Sequence, residues 1–496
     1  MKKILDIFLI FIFVLSIQTA LGSDYEELQL KVPVRVFDKN MLINDLSKND
    51  FRVSINNEDV EILSFESVSR RISHPTTPFR TFILAFNLYD YGEQVSEGIE
   101  YFVRDVLTDN DEIMIITPEN MYKLLPEVQK DKTIDDIKRY VKKDWQIFKG
   151  KRTTYENTFK EKLKRIRPQM ISRESALRFL NSYRSEWLTF KSRFLMPDVN
   201  EYKVVSQYLY GKEGDKWFIN FQQREIIPEL GELKKRIRDI RNFISSLAEA
   251  EETGWVPMLS KGVTELEKAL LLSDRFPQEE IQDILLGLNI SYNVILFKSK
   301  TKLGGSSPHE SVSPDYEDIL RNISRATGGF TLETTDIKNG LLQLSQHQDT
   351  SYLLNIPIIP TPLNIDIKLP KGNYETYHKK TYSGAEIKSI MQFSADKVKI
   401  SGVSVKDKIV TFTISNFSTD QSQVSKSEGN LEVKMLVTNE KGEIMYRMTN
   451  TLKSFKDSIE ITLPPLEHIS GKNRVCIFTE DKITGISSIY ATEFVF

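Results

Sequence analysis

Phe82-Ile83-Leu84-Ala85-Phe86 is an unbroken apolar run of the kind that suits a strand covered on both faces, and Ile113-Met114-Ile115-Ile116 is a second. Between them Val95, Ile99, Phe102 and Val106 fall at i, i+4, i+7 and i+11, one apolar stripe along a helix from about Gly92 to Leu107. Strand, helix and strand with short joins make a βαβ unit, which implies a parallel sheet. The pattern resumes at Lys216-Trp217-Phe218-Ile219-Asn220-Phe221 and at Asn293-Val294-Ile295-Leu296-Phe297, then in helices expected near Tyr316 to Ala326 and Asp336 to Gln346. An α/β domain is therefore expected over residues 78–359.

The text between these signals is helical in spacing, dense in charge and poor in glycine, from Thr133 to Lys212 and from Pro228 to Leu288. Leu230, Leu233, Ile237, Ile240 and Phe243 mark one amphipathic stripe. We read this stretch, about 127–288, as a helical insertion in the α/β domain. Its charge is segregated: residues 127–168 hold 14 Lys and Arg against 7 Asp and Glu, whereas residues 84–119 hold one Arg against nine acids. A basic helix of this kind presents a solvated face or, less simply, an anion site.

Both flanks alternate in the strand manner. Leu30, Val32, Val34 and Val36 share one face, Phe51, Val53 and Ile55 follow, and Asn56-Asn57 signals a hairpin turn because Asn tolerates left-handed backbone. A small N-terminal β module over residues 23–72 is expected, with Ser67 to Phe79 as a linker stiffened by Pro75 and Pro78. After Pro357, Pro360 and Pro362, β-rich runs from Val403 to Phe496 recur every ten to fifteen residues, so residues 363–496 read as an antiparallel, immunoglobulin-like β-sandwich.

Length and composition agree: 496 residues at ~150 per domain is about three domains, and 40% apolar residues can fill real cores. With 67 Lys and Arg against 69 Asp and Glu, the net charge of −2 gives no whole-chain case for nucleic acid. Cys476 is the sole cysteine, which excludes an internal disulfide framework, multi-cysteine zinc and iron–sulfur ligation. His74, His309, His347, His378 and His468 stand at no metal-ligand spacing; His347 and His378 are expected on the surface. Gly304-Gly305-Ser306-Ser307-Pro308 lacks the Lys and hydroxyl of a phosphate cradle and reads as a plain loop.

The first residues read as a secretory signal: Lys2-Lys3, an apolar run from Ile7 to Ile17, and the small-x-small site Ala20-Leu21-Gly22, so the mature chain is expected to begin at Ser23. Eleven helical residues span about 16 Å, short of the ~30 Å hydrocarbon core, and no later run approaches 18 apolar residues, so no transmembrane segment is expected in the mature chain. An exported chain without a cystine pair fits the bacterial periplasm, cell surface or extracellular space.

This order, with Val32-Pro33-Val34-Arg35-Val36-Phe37-Asp38 and Leu46-Ser47-Lys48-Asn49-Asp50-Phe51-Arg52-Val53 ahead of the α/β signals, resembles the bacterial von Willebrand factor A (VWFA)-related proteins. Ala326-Thr327-Gly328-Gly329-Phe330, the helix after Asp336 and Ser351-Tyr352-Leu353-Leu354 are similar to that family's closing elements. The resemblance implies a parallel-sheet VWFA-like domain and, in many members, a divalent ion held by Asp-x-Ser-x-Ser after the first strand. Here the matching positions are Asn87-Leu88-Tyr89-Asp90-Tyr91, a degenerate metal-ion-dependent adhesion site in which Asn replaces the leading Asp and two tyrosines replace the serines. Thr153 and Thr154, read as part of a loop after Gly150, stand where the family places a further hydroxyl ligand, and Gln222-Gln223 stands where an acid is expected. No metal and no cofactor are expected.

The reading is therefore a non-catalytic exported binder or envelope scaffold. Its expected partner is another protein or envelope macromolecule, met through Asn87, Tyr89, Asp90, Tyr91, Thr153 and Thr154. Two exposed tyrosines would serve as contact residues; the alternative is that they cap the core beneath them. The rival class is a secreted hydrolase with a carboxylate site. Neither a nucleophile elbow nor His-Glu-x-x-His occurs, but a carboxylate pair leaves no local signature.

Overall fold

A computed structural model describes residues 29–496 apart from 40, 74–78, 125–129, 166–171, 211, 229, 251–253, 299–308, 312–313, 359–361, 371–373, 384–385, 388–397, 417–428, 440–443, 455–457 and 482–486. The expected signal segment, His74 and the Gly304 to Pro308 loop lie outside the described residues. The chain divides into two compact units, residues 1–68 with 352–397, and residues 69–351 with 398–496.

Among its described residues the first unit is built mainly of strands. One sheet runs in the order Glu375–Tyr377, Gln29–Asp38, Gln348–Pro357, Ser64–Arg71, with Met41–Leu42 also paired to Gln29–Asp38; the other runs Thr381–Tyr382, Leu363–Lys368, Arg52–Ile55, Glu58–Val60. Period-2 alternation aims Val32, Val34, Val36, Val53, Ile55, Tyr352, Leu354, Ile365 and Ile367 into one core. Asn56 and Asn57 take φ of 53° and 70°, the two left-handed residues of a tight hairpin.

Three expectations are corrected here. Ser67 to Arg71 is the end of a strand, Ser64–Arg71, rather than linker. The run Ser351-Tyr352-Leu353-Leu354 closes no parallel sheet, for Val34 to Gln29 pair antiparallel with Tyr352 to Pro357. Leu363–Lys368 joins no C-terminal sandwich, since Ile365 and Ile367 pair with Ile55 and Val53. An alternating strand declares which face is apolar, not which strand it will pair with.

The second unit carries a six-stranded sheet: β1 Arg80–Asn87, β2 Glu112–Ile116, β3 Met121–Leu124, β4 Asp215–Gln223, β5 Ile290–Phe297 and β6 Thr331–Thr334, in the order β6-β5-β4-β1-β2-β3. β3 alone runs antiparallel to its neighbour. Helix α1, Glu93–Tyr101, ends in a π turn, Phe102–Val106, and packs on one sheet face with Val95, Ile99 and Phe102.

Helices α2 Lys130–Arg165, α3 Arg173–Phe194 and α4 Val199–Leu209 lead from β3 to β4, and α5 Gly231–Glu249, α6 Trp255–Leu270 and α7 Gln278–Gly287 lead from β4 to β5. The helical stretch read over about 127–288 is two crossover connections separated by the central strand β4, which holds the apolar run at Lys216 to Phe221. Helices α8 Pro314–Ala326 and α9 Ile337–Gln346 complete the layers. Gly328 holds φ at 69° past the end of α8, and a Cβ on Gly329 would stand 2.0 Å from the Tyr292 carbonyl oxygen, so the turn into β6 admits no side chain there.

The segregated charges meet each other. Lys138 pairs with Glu100, Lys151 with Glu119 and Arg104 with Asp131, all at about 2.5 Å and all partly exposed. Two lysines of the basic helix thus meet acids of the βαβ segment, and an arginine of that segment meets an acid of the helix, in partly exposed pairs.

Residues 398–496 form two antiparallel sheets, Lys399–Lys406, Ile409–Ser415, Ser458–Thr462, and Ile444–Ser454, Gly429–Asn439, Lys472–Asp481, Ser487–Val495, around one core with Phe412, Val433, Met435 and Ile477. They seat on the α/β layers through Phe79 stacked on Phe478 at 4.6 Å, Arg447 bonded to Asp109 and Asn110, and Lys212 between Glu112 and Glu480.

Candidate functional site

The strand order reverses direction between β1 and β4, and open α/β sheets bind ligands at the carboxyl ends of the strands beside such a point. Asn87 and Gln222 are register partners at that edge. Alternation puts Ile83, Ala85 and Asn87 of β1 on the face shared by Phe218, Asn220 and Gln222 of β4, so the apolar floor turns polar where the strands end.

The amides there are tied together. Asn87 Nδ2 donates to Asn220 Oδ1 at 2.9 Å, and Asn220 Nδ2 donates to the Tyr292 hydroxyl at 2.9 Å. Gln223 Oε1 accepts from the backbone N–H groups of both Tyr89 (2.9 Å) and Asp90 (2.8 Å), which fixes the turn after β1.

Helix α2 supports that turn with residues one helical face apart. Trp145 Nε1 donates to the Tyr89 carbonyl at 2.9 Å; Lys149 Nζ lies 3.8 Å from Asp90 Oδ1 and 4.8 Å above the Trp145 ring; Arg152 places its guanidinium 4.8 Å from the Tyr89 ring. Arg152 is buried and donates to Glu156 Oε1 at 2.8 Å. Burial pulls its pKa below the usual range, while Glu156 opposes that shift.

Tyr89 and Tyr91 are half-buried rather than exposed. Tyr89 packs on the core beneath α2 and α3, Tyr91 on the core beneath α1. The Tyr91 hydroxyl shares a 3.1 Å hydrogen bond with Ser96 Oγ. Burial is the main cause pushing both phenols above their ordinary value, so both are neutral near pH 7. Asn87 is exposed and Asp90 is partly so.

Thr153 and Thr154 are not loop residues. Both are exposed midway along α2, off the face carrying Trp145, Lys149 and Arg152, and Thr154 Oγ1 donates back to the Gly150 carbonyl at 3.1 Å. A long charged helix without an internal breaker absorbs the Gly150 position that reads as a loop in the sequence.

These groups do not fit a divalent cation. A hard ion wants several carboxylate or hydroxyl oxygens at ~2.1–2.6 Å, whereas this turn offers the single carboxylate of Asp90. The Tyr91 hydroxyl is bonded to Ser96 and the Gln223 oxygen to two N–H groups, and Lys149 stands beside the Asp90 carboxylate. Among the described residues no three of His, Cys, Asp and Glu converge.

Beside the amides opens a cleft of about 800 Å³ between the sheet and helices α3, α4, α7 and α8. Sequence reading missed its residues. The i, i+2, i+4 series Phe218, Asn220, Gln222 carried the signal for its floor, a strand face turning from apolar to amide. His347 and His378 also depart from their expected surface places. His347 stacks on Phe330 at 4.9 Å and contacts the Gly328 carbonyl, and His378 is 4% exposed.

No family model matches the chain, and no curated protein matches it. Among solved structures it is similar to an aerotolerance-related membrane protein from Bacteroides fragilis NCTC 9343 with multiple mutations to serines, at 9% identity and a TM-score of 0.20, over 54% of this chain and 98% of that one. Among the described residues no helix is long and apolar enough to cross a membrane.

Proposed function

We propose that this chain is an exported, non-catalytic envelope scaffold or adhesion-type protein. It recognises another protein through the turn at Asn87 to Tyr91 of a VWFA-like domain, without a metal ion. The observation that carries this reading is the cross-tied turn itself. Gln223, Trp145 and Arg152 hold it rigid from beneath while Asn87 and Asp90 face outward, an arrangement suited to presenting a surface at little ordering cost. The strand order with an antiparallel third strand, and a motif-like position at the end of β1, support the VWFA-like part.

The test is capture from bacterial envelope extract by the mature chain, compared with Asn87→Arg and Asp90→Lys. Asn87→Arg also breaks the bond to Asn220, so melting is read beside capture; loss of a captured protein in Asp90→Lys with unchanged melting supports the reading, and unchanged capture in both variants sinks it. Calorimetry with Mg²⁺, Ca²⁺ and Mn²⁺ should be silent; 1:1 heat that vanishes in Asp90→Ala would put a metal back in the turn.

The hydrolase reading has one observation in its favour. Glu201 lines the cleft, and burial, aided by Asp198, pushes its carboxyl up to about 7, within the range of a general acid. The other acid on the cleft wall, Asp198, is exposed and caps α4 by accepting from the Asn200 N–H at 2.9 Å. Among the described residues no second carboxylate on the cleft wall is thus placed to complete the pair.

A further inference from the structure

We infer that the cleft beside the switch point binds a neutral saccharide of about two to three rings. The inference stands on the cleft alone, independently of what the Asn87 to Tyr91 turn binds. Its volume, about 800 Å³, is that of a small-molecule site.

The lining is rich in hydrogen-bonding groups and poor in usable charge. Asn220 and Gln222 form its floor; Tyr202, Tyr292 and Tyr316 bring phenols, and Glu201 brings a carboxyl. Three of these groups have capacity to spare among the described residues. Gln222 donates from Nε2 to the Gln223 carbonyl at 3.0 Å, but its Oε1 accepts nothing; the Tyr316 hydroxyl has no hydrogen-bond partner; the Glu201 carboxyl has neither a hydrogen bond nor an ion pair. Such groups, drawn away from bulk water, gain most from a ligand that brings matching donors and acceptors.

The cations on the wall are already occupied. Arg152 is bonded to Glu156, and Lys191 donates to the carbonyls of Leu271 at 2.5 Å and Asp274 at 2.6 Å. Arg193 donates to the Tyr155 hydroxyl at 3.0 Å and Arg275 lies 4.0 Å from an Asp274 carboxylate oxygen, both at exposed positions where solvent screens them. An anion would have to compete for compensated charges, and a cation would meet four positive side chains against Glu201 and Asp198.

An uncharged lipid-like ligand would leave Gln222 Oε1, the Tyr316 hydroxyl and the Glu201 carboxyl without new partners. A sugar meets both demands, offering hydroxyls around its edge and C–H faces to the rings of Phe148, Phe194 and Phe276.

Isothermal calorimetry on the full mature chain tests this with maltotriose, cellotriose and triacetylchitotriose, alongside benzoate and benzyltrimethylammonium as the anionic and cationic rivals. Saturable 1:1 heat is expected with at least one trisaccharide, weakened tenfold or more by Tyr316→Phe and by Glu201→Leu. Each variant removes a polar group with no protein partner, so neither should unfold the chain. If one does, hydrogen exchange on the unaltered protein reads the same site, where the saccharide should slow the amides of Val199–Leu209. No heat from any of the three sugars, equal affinity in both folded variants, or saturation by only the rival ions would overturn the inference.

Discussion

Two buried polar sites, one in each unit, are handled in opposite ways. At the switch point of the α/β sheet, Asn87, Asn220 and Tyr292 form an unbroken series of hydrogen bonds, and Gln223 answers two backbone donors with one oxygen. In the β unit, His378 is 4% exposed and neither ring nitrogen has a hydrogen-bond partner among the described residues. Polarity inside a fold is cheap when every donor meets an acceptor and costly when one does not. The partnered region should therefore fail when a member is removed, and the unpartnered one should improve.

The largest effect belongs to the buried ion pair at the start of β1. Arg80 forks onto Asp111 with Nε to Oδ1 at 2.8 Å and Nη2 to Oδ2 at 2.5 Å, and Asp111 also accepts from the Thr108 N–H. Asp111→Ala strands a buried guanidinium and should cost about 3–5 kcal/mol in denaturant unfolding. A loss under 1 kcal/mol would contradict the view that partnering is what makes this region stable.

His378 is next. Burial, with Lys380 adding, lowers its pKa from 6.5 to about 4, while Asp366 works the other way. The folded state thus favours the neutral ring, and as pH falls the unfolded chain takes up the proton first. Stability should be level above about pH 6.5, fall by on the order of 3 kcal/mol down to about pH 4, and level again below. His378→Phe should flatten that slope and melt higher than the natural chain at pH 5; an unchanged slope would assign the acid sensitivity elsewhere.

Asn220→Leu tests the series directly. It removes the acceptor for Asn87 and the donor to Tyr292, and about 1–3 kcal/mol of destabilisation is expected, with faster hydrogen exchange at Tyr292. A neutral result would mean that water or the flanking amides take over both bonds.

The smallest effect is at the surface. Lys138→Ala breaks the partly exposed pair with Glu100 and should cost under about 1 kcal/mol, vanishing in 1 M salt. Melting curves at two ionic strengths decide it, and a salt-independent loss would show that the lysine stem, not its charge, supports α2.

Much of the α/β unit was legible in its residues. Phe82 to Phe86, Ile113 to Ile116 and Asn293 to Val294-Ile295-Leu296-Phe297 are apolar on both faces because helices cover both faces, and no other environment suits such runs so well. The stripe Val95, Ile99, Phe102 likewise declared the buried face of α1. The turn at Asn87 to Tyr91 was found because it follows a strand end, but its character was not. Whether Tyr89 is exposed depends on Trp145 and Arg152, more than fifty residues away in sequence.

Sequence by itself determined where the chain changes between period 2 and period 3.6, which faces are apolar, that one cysteine allows no internal disulfide, and that basic and acidic segments alternate. Those are local properties, written in the spacing of side chains along one segment. Only the tertiary structure decided that Leu363–Lys368 pairs with Arg52–Ile55, that the basic helix lies against the acidic segment, that Asn87 meets Asn220, and that Glu201, Gln222 and Tyr316 share one cleft. Pairing and cleft formation join residues tens to hundreds of positions apart. Many partners satisfy the same alternation, and the choice among them is made by the packing of the whole unit.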